Sequence, residues 1–278
     1  MKKRKAPHTA TDSTSSTLSQ SVSEAQQEPV QKKAKKSKSK KKAKRSEEDE
    51  SLFDTEKGIN TAFAFMDPML MADYLAQKIE WAGGNDLSSV ELGDLGVQGT
   101  SIYDTTSFQS PRTLDNMPSF IEEFAFTKDI MKAPKKEKGA PHTIIVAGGG
   151  MRAAGVVRTM RKFQSGDVKV AKCFAKHIKM EEAVKFLGSH KVGVAVGTPQ
   201  RLIDLVDNGA LKLSHLDQLL VDASHIDEKK RGVLDMKETL MPLCKWLNVR
   251  QFRESYTASP SEGEGKGDGQ RPLRLMFY

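Results

Sequence analysis

Apolar and polar positions change rhythm twice along the chain. Large apolar side chains are nearly absent from the first fifty residues and return in helical or mixed spacing after residue 51; from His142 onward short β-rich runs alternate with stretches of helical period. Such alternation is the sign of βαβ units and a parallel sheet, because parallel neighbours need a crossover long enough to hold a helix. The pattern predicts strands at Thr143–Ala147, Val168–Phe174, Val192–Val196, Leu216–Val221 and Arg274–Tyr278. Between them it predicts helices at Ala153–Phe163, Met180–Leu187, Arg201–Val206 and Met236–Leu247. Upstream, Pro68–Trp81 reads as an amphipathic helix followed by a break at Gly83–Asn85, and Leu87–Asp94 and Leu114–Phe126 add helical or mixed structure. Lys132–Lys138 reads as a charged linker, and the polar, glycine-rich stretch Ser259–Gln270 as a mobile loop. No internal repeat is visible, which argues against a solenoid.

Charge divides the chain where hydropathy does. Residues 1–50 carry 14 Lys/Arg against 7 Asp/Glu and residues 51–278 carry 30 against 29, so the net +8 splits into +7 and +1. A segment with so little apolar area to bury cannot offset the conformational entropy of folding. Residues 1–58 are therefore expected to form a disordered Lys-rich tail, and residues 59–278 one α/β domain. Ten basic residues lie between Lys32 and Arg45, among them Lys35, Lys36, Lys41 and Lys42, before the switch to Glu47, Glu48, Asp49 and Glu50. Dense lysine releases counterions from a phosphate backbone without reading its sequence, which predicts salt-sensitive RNA affinity. The same run reads as a nuclear import address, with a merely solvated linker as the alternative. Cys173 and Cys244 are far apart and lack a Cys/His cluster, which argues against a disulfide framework and a zinc site and suits a reducing compartment. No run of about 18 apolar residues occurs and no apolar stretch follows Met1-Lys2-Lys3-Arg4-Lys5, so neither a membrane span nor a secretory signal is expected.

In an open parallel sheet, function gathers beyond the carboxyl ends of the strands. Three such places carry candidate chemistry. At Val196-Gly197-Thr198-Pro199-Gln200-Arg201-Leu202, Thr198 is of helix N-cap type and Pro199 fits the first turn, so free amides and Arg201 would make an anion site. An ordinary capped helix is the plainer alternative. At Leu220-Val221-Asp222-Ala223-Ser224-His225, Asp222 ends a strand and could simply cap a turn. A hydrolytic triad of Asp222, Ser224 and His225 fails, because triads converge from separate elements rather than from one turn. At Gly148-Gly149-Gly150-Met151-Arg152-Ala153-Ala154-Gly155, the glycine interval of a phosphate-binding loop is present, but Val156 and Val157 stand where Lys and Ser/Thr are required. A dinucleotide pattern also matches here, yet the next strand runs into Ala175-Lys176-His177 with no acid for the ribose.

The first segment is similar to the DEAD-box helicase motif Gly-Thr-Pro-Gly-Arg-Leu, with Gln200 where glycine is usual. Asp222 follows Thr198 at the spacing of that family's Asp-Glu-Ala-Asp box, with Ala223 in place of the glutamate and His225 in place of the last aspartate. In the same register Gly149 and Arg152 fall on a motif that contacts the RNA backbone. Ser107–Leu114 stands where a phosphate-binding loop would precede the first core helix, and no Gly-Lys-Thr occurs. The resemblance implies a three-layer, RecA-like (P-loop NTPase-like) parallel sheet whose nucleotide chemistry has been lost. No catalytic residue, metal or cofactor is then expected, since phosphoryl transfer rests on those carboxylates and that lysine. The RNA-binding candidates are Gly149, Arg152, Thr198, Pro199 and Arg201, with Lys35, Lys36, Lys41 and Lys42; Asp222, Ala223, Ser224 and His225 form the degenerate box. With Leu87–Leu92, Asp104–Phe108 and Arg112–Leu114, these features resemble the Cms-type small-subunit biogenesis proteins. That resemblance implies a nucleolar, non-catalytic factor of the small-subunit (90S) pre-ribosome, with precursor ribosomal RNA and assembly proteins as partners. A protein-docking scaffold without a direct RNA role is the alternative.

Overall fold

A computed structural model describes residues 51–84, 86–125, 137–256 and 273–278. The expectations for the Lys tail with Lys35, Lys36, Lys41 and Lys42, for Asn85, for residues 132–136 and for Ser259–Gln270 lie outside the described residues. All of the described residues belong to one compact unit, Glu47–Tyr278.

Five strands make one parallel sheet: β3 (Thr143–Val146), β4 (Val168–Cys173), β5 (Lys191–Gly197), β6 (Gln218–Val221) and β7 (Arg274–Phe277), in the order β4-β5-β3-β6-β7. A short antiparallel pair, β1 (Phe53–Asp54) with β2 (Ile59–Asn60), precedes them. The helices are α1 (Pro68–Gly83), α2 (Ser89–Leu95), α3 (Met117–Glu123), α4 (Gly150–Met160), α5 (Met180–Ser189), α6 (Pro199–Asp207), α7 (Lys237–Leu247) and α8 (Arg250–Arg253).

Side chains alternate across a strand, and here both sets are apolar because both faces are covered. Ile144, Val146, Ala171, Cys173, Ala195, Leu219, Val221, Leu275 and Phe277 pack on one face with α1, α5, α6, α7 and α8. Ile145, Ala147, Val170, Val194, Val196, Leu220, Met276 and Tyr278 pack on the other with α3 and α4. The result is a three-layer α/β sandwich, with the parallel sheet that the apolar runs predict and the layering that the helicase resemblance implies. Burial pushes the thiols of Cys173 and Cys244 up to about 12, so both stay neutral inside the core.

Several boundaries moved, each for a local reason. Helix α4 starts at Gly150 rather than Ala153 and ends in a 3-10 turn at Arg161–Phe163. Helix α6 starts at Pro199, whose fixed φ and missing N–H suit the first helical position. Residues Leu114–Asn116 form a 3-10 turn ahead of α3. The boundary expected between residues 58 and 59 falls inside the β1–β2 hairpin. That hairpin is tied to the sheet by Asn60 N–H to the Ser224 carbonyl (2.7 Å) and Ile226 N–H to the Gly58 carbonyl (3.0 Å).

Candidate functional site

Strand register aligns the carboxyl ends at one edge of the sheet. Val146 of β3 pairs with Gly197 of β5 on one side and Val221 of β6 on the other, and Val221 pairs with Phe277 of β7. Thr198, Ala147-Gly148 and Asp222 therefore leave the sheet side by side, about 5 Å apart per strand. The crossover after β3 runs over the α4 face and the one after β6 over the α7 face. Between strands whose connections diverge in this way a crevice must open. It is there, a cavity of about 210 Å3 lined by Gly148, Gly149, Arg152, Asp222, His225 and Arg231 among others.

Within it the glycine turn after β3 and the turn after β6 meet directly. Arg152 Nε donates to Asp222 Oδ2 at 2.7 Å and a terminal nitrogen donates to Oδ1 at 3.1 Å, a bidentate pair with side-chain exposures of 12% and 0%. Sequence reading makes Arg152 a phosphate ligand and Asp222 a relic. In the structure each neutralises the other, so Arg152 offers RNA a charge only if a buried ion pair is broken. His225 is half-buried beside them, and its imidazolium is pulled below the ordinary 6.5 by burial first and the Arg152 charge second, against the opposing pull of Asp222. Arg231 is likewise engaged, donating to Asp227 at 2.8 Å, which draws the Asp227 carboxyl down to about 2.

The rest of the turn after β6 serves the fold. Ala223 and Ser224 N–H both donate to the Tyr278 carbonyl (3.0 and 2.7 Å), and the His225 backbone bridges Ile59. Among the described residues no group of three or more His, Cys, Asp or Glu is placed to hold a metal ion.

On the β5 side, Thr198 sits at the N-cap of α6 with extended backbone, but its side chain makes no cap hydrogen bond. Pro199 is buried. An α-helix leaves its first amides without intrahelical acceptors, so Gln200 and Arg201 N–H point out of this edge. Gln200, exposed, donates to Asp204 at 2.8 Å, and Arg201, half-buried, donates to the Ile178 carbonyl at 3.3 Å. Gly149 is the N-cap of α4, also in extended conformation. Lys176, which sequence reading passed over, is exposed and lies so close to Gly150 that a Cβ there would meet the lysine Cβ at 2.8 Å. The signal was the basic pair at the end of β4, read only for the acid it lacks.

On the β7 side, Ile102 forms a parallel bridge with Leu275 and Tyr103 N–H donates to the Leu275 carbonyl at 2.8 Å. The Ser107–Leu114 segment follows, and from it buried Arg112 donates to the Phe277 carbonyl at 2.5 Å. Sequence reading used this arginine only as part of a family resemblance and not for this contact, because one acceptor is a backbone carbonyl of a strand 165 positions away and the others are the carbonyl and hydroxyl of Thr105.

Comparison with known proteins supplies the context. A family model described as "CMS1: U3-containing 90S pre-ribosomal complex subunit" matches residues 15–266. Protein CMS1 of Chaetomium thermophilum is 50% identical over 233 residues, covering 84% of this chain and 88% of that protein. Protein cms1 of Schizosaccharomyces pombe is 30% identical over 195 residues, 70% of this chain and 64% of the relative. Human Protein CMSS1 is 34% identical over 134 residues, 48% of each chain. Among solved structures, a DEAD box protein from Methanococcus jannaschii matches 58% of this chain and 36% of its own at 15% identity and a TM-score of 0.34. The yeast splicing factor Prp28 matches 50% and 28% at 21% identity and 0.33.

Proposed function

The chain belongs to the family of U3-containing 90S pre-ribosomal complex subunits, and from that premise we propose that it is a non-catalytic assembly factor that grips precursor ribosomal RNA at the carboxyl edge of its sheet. The observation that supports this reading is the register that brings Thr198, Gly149 and the N-terminus of α6 to one edge, with Arg201 and exposed Lys176 beside them. Helix N-termini and basic side chains fix a phosphate backbone in place without reading bases. Arg152 acts here through Asp222: the pair holds the glycine turn against the box, so Gly149 keeps its position. The lysines of the tail, including Lys35, Lys36, Lys41 and Lys42, add a sequence-independent attraction. The setting is the nucleus and nucleolus, where the small-subunit pre-ribosome is assembled. Ala223 and His225 occupy the box positions where nucleotide-hydrolysing relatives of the fold hold metal and water, and Asp222 is spent on Arg152, so no turnover is expected.

Charge reversal tests the edge. Lys176→Glu with Arg201→Glu in the full chain should weaken binding to a precursor ribosomal RNA transcript about tenfold or more, a loss of about 1.4 kcal/mol or greater. Unchanged RNA affinity and unchanged co-sedimentation with pre-ribosomes would remove the RNA role and leave a protein-docking scaffold. Magnesium-dependent ATP turnover by the purified chain would overturn the non-catalytic part.

A further inference from the structure

A second cavity, of about 490 Å3, lies between the β1–β2 hairpin, the loop from Thr106 to Arg112 and the turn after β6, and shares no residue of its lining with the crevice at Arg152. Its wall is apolar at Ile59, Phe65 and Phe108 and carries two cations, Lys57 and Arg112, against one carboxylate, Asp54. Asp54 is already paired with Lys57 at 2.8 Å. Arg112 is 2% exposed and has no such partner. Its terminal nitrogens donate to the Phe277 carbonyl and, at 3.1 Å, to the carbonyl and hydroxyl of Thr105, all neutral, while its Nε has no acceptor. Asp104 acts on it only through its field, being exposed and engaged with the Thr106 N–H and hydroxyl. Burial pulls the guanidinium down to about 10, so the charge persists at neutral pH. Ser224 Oγ, in the same wall, is fully buried and also unpartnered.

A buried cation with only neutral acceptors is stabilised by an anion placed at its free nitrogen, and a hydroxyl beside it can donate to the same group. The mouth narrows the choice of what carries that anion. Phe65, 78% exposed, stands in the lining; Met69 and Leu70 follow in the first turn of α1, exposed by 62% and 50%. Leu52, also exposed, accepts from the Thr61 N–H, and Thr61 is again lining. A small molecule would be buried within the cavity and would leave in water the exposed apolar side chains near the lining in sequence, Leu52, Met69 and Leu70. RNA would need exposed cations at the rim, and the exposed one here, Lys57, is paired. A polypeptide covers both, with side chains in the pocket and main chain over the rim.

We propose that this cavity docks a segment of another pre-ribosome protein, which inserts a bulky apolar side chain against Phe65 and Phe108 and an adjacent carboxylate against Arg112 and Ser224. The inference rests on membership of the pre-ribosome family and not on the RNA edge, whose variants leave this pocket untouched. A photo-crosslinking residue at Gln109, exposed in the lining, reads it out in the full chain within purified pre-ribosomes. The expected product is an adduct to one protein, mapped by mass spectrometry to a stretch where Asp or Glu adjoins Leu, Ile, Met or Phe. Phe65→Ser, at an exposed site that leaves thermal unfolding unchanged, should reduce the adduct about tenfold. A synthetic peptide of the mapped stretch should bind the purified chain and lose about tenfold in affinity when its carboxylate becomes the amide. An adduct to RNA, a mapped stretch without an acid, insensitivity to Phe65→Ser, or no adduct at all would each overturn the proposal.

Discussion

Asp222 and Arg152 together decide what the glycine turn can do. Asp222 is fully buried, and a carboxylate in that position is tolerable only while a cation with matched geometry holds it. Arg152→Met leaves the carboxylate alone in the crevice, and Asp222→Leu leaves the guanidinium, so each should destabilise the chain by about 3–5 kcal/mol. The double change Arg152→Met with Asp222→Leu replaces a pair by apolar volume and should recover most of that loss. Urea unfolding of the three variants measures it. An unfolding midpoint in Arg152→Met equal to that of the parent would mean that the pair contributes nothing, and would return Arg152 to the role of free phosphate ligand. Sequence reading picked both residues and missed their relation. They stand 70 positions apart, and only the register that sets Val146 beside Val221 brings them together.

Elements were legible to the extent that burial on both faces leaves continuous apolar runs. Ile144–Val146, Val194–Val196 and Leu219–Val221 announce themselves because no polar residue interrupts them. The hairpin at residues 53–60 was not legible, since two-residue strands carry no period to read. Nor was the irregularity in β5, where the register against β4 shifts between Lys169 and Val170, so that Val192 and Val194 face opposite sides of the sheet. A Cβ on Gly193 would meet Val168 Cγ1 at 2.9 Å, which accounts for glycine at that point. The junction from β5 to α6 is tighter still. A Cβ on Gly197 would stand 2.6 Å from the Cys173 carbonyl oxygen, which is backbone and cannot swing away, and 2.6 Å from Leu202. Gly197→Ala should therefore cost about 1–3 kcal/mol by overpacking and push α6 off the sheet, carrying Thr198 and Arg201 with it. Thermal unfolding checks the first part, and RNA affinity at a temperature where the variant remains folded checks the second. Parent-like stability would show that the helix yields freely, and the edge would then not be the rigid platform the proposed function needs.

At the scale of the molecule, most of the net charge lies outside the described residues. The stretch from residue 51 to 278 is nearly neutral, at +1, and presents a few oriented donors at one edge; residues 1–50 hold +7. Counterion release makes these two contributions separable, because each phosphate neutralised on single-stranded RNA adds about 0.7 to the slope of log affinity against log salt. Changing Lys35, Lys36, Lys41 and Lys42 to Gln in the full chain removes four such contacts and should flatten the slope by up to about 3. Arg201→Gln removes one and should flatten it by about 0.7. The ratio of affinities for precursor and unrelated RNA should stay constant in the tail variant, since lysine on a phosphate backbone carries no sequence information. Fluorescence anisotropy with both RNAs between about 50 and 200 mM salt covers the range in which a slope change of that size alters affinity by nearly two orders of magnitude. A tail variant with the parent's slope would mean that these four lysines never reach RNA, and the salt-dependent part of the chain's RNA affinity would then have to come from other basic residues, at the sheet edge or elsewhere in the first fifty positions.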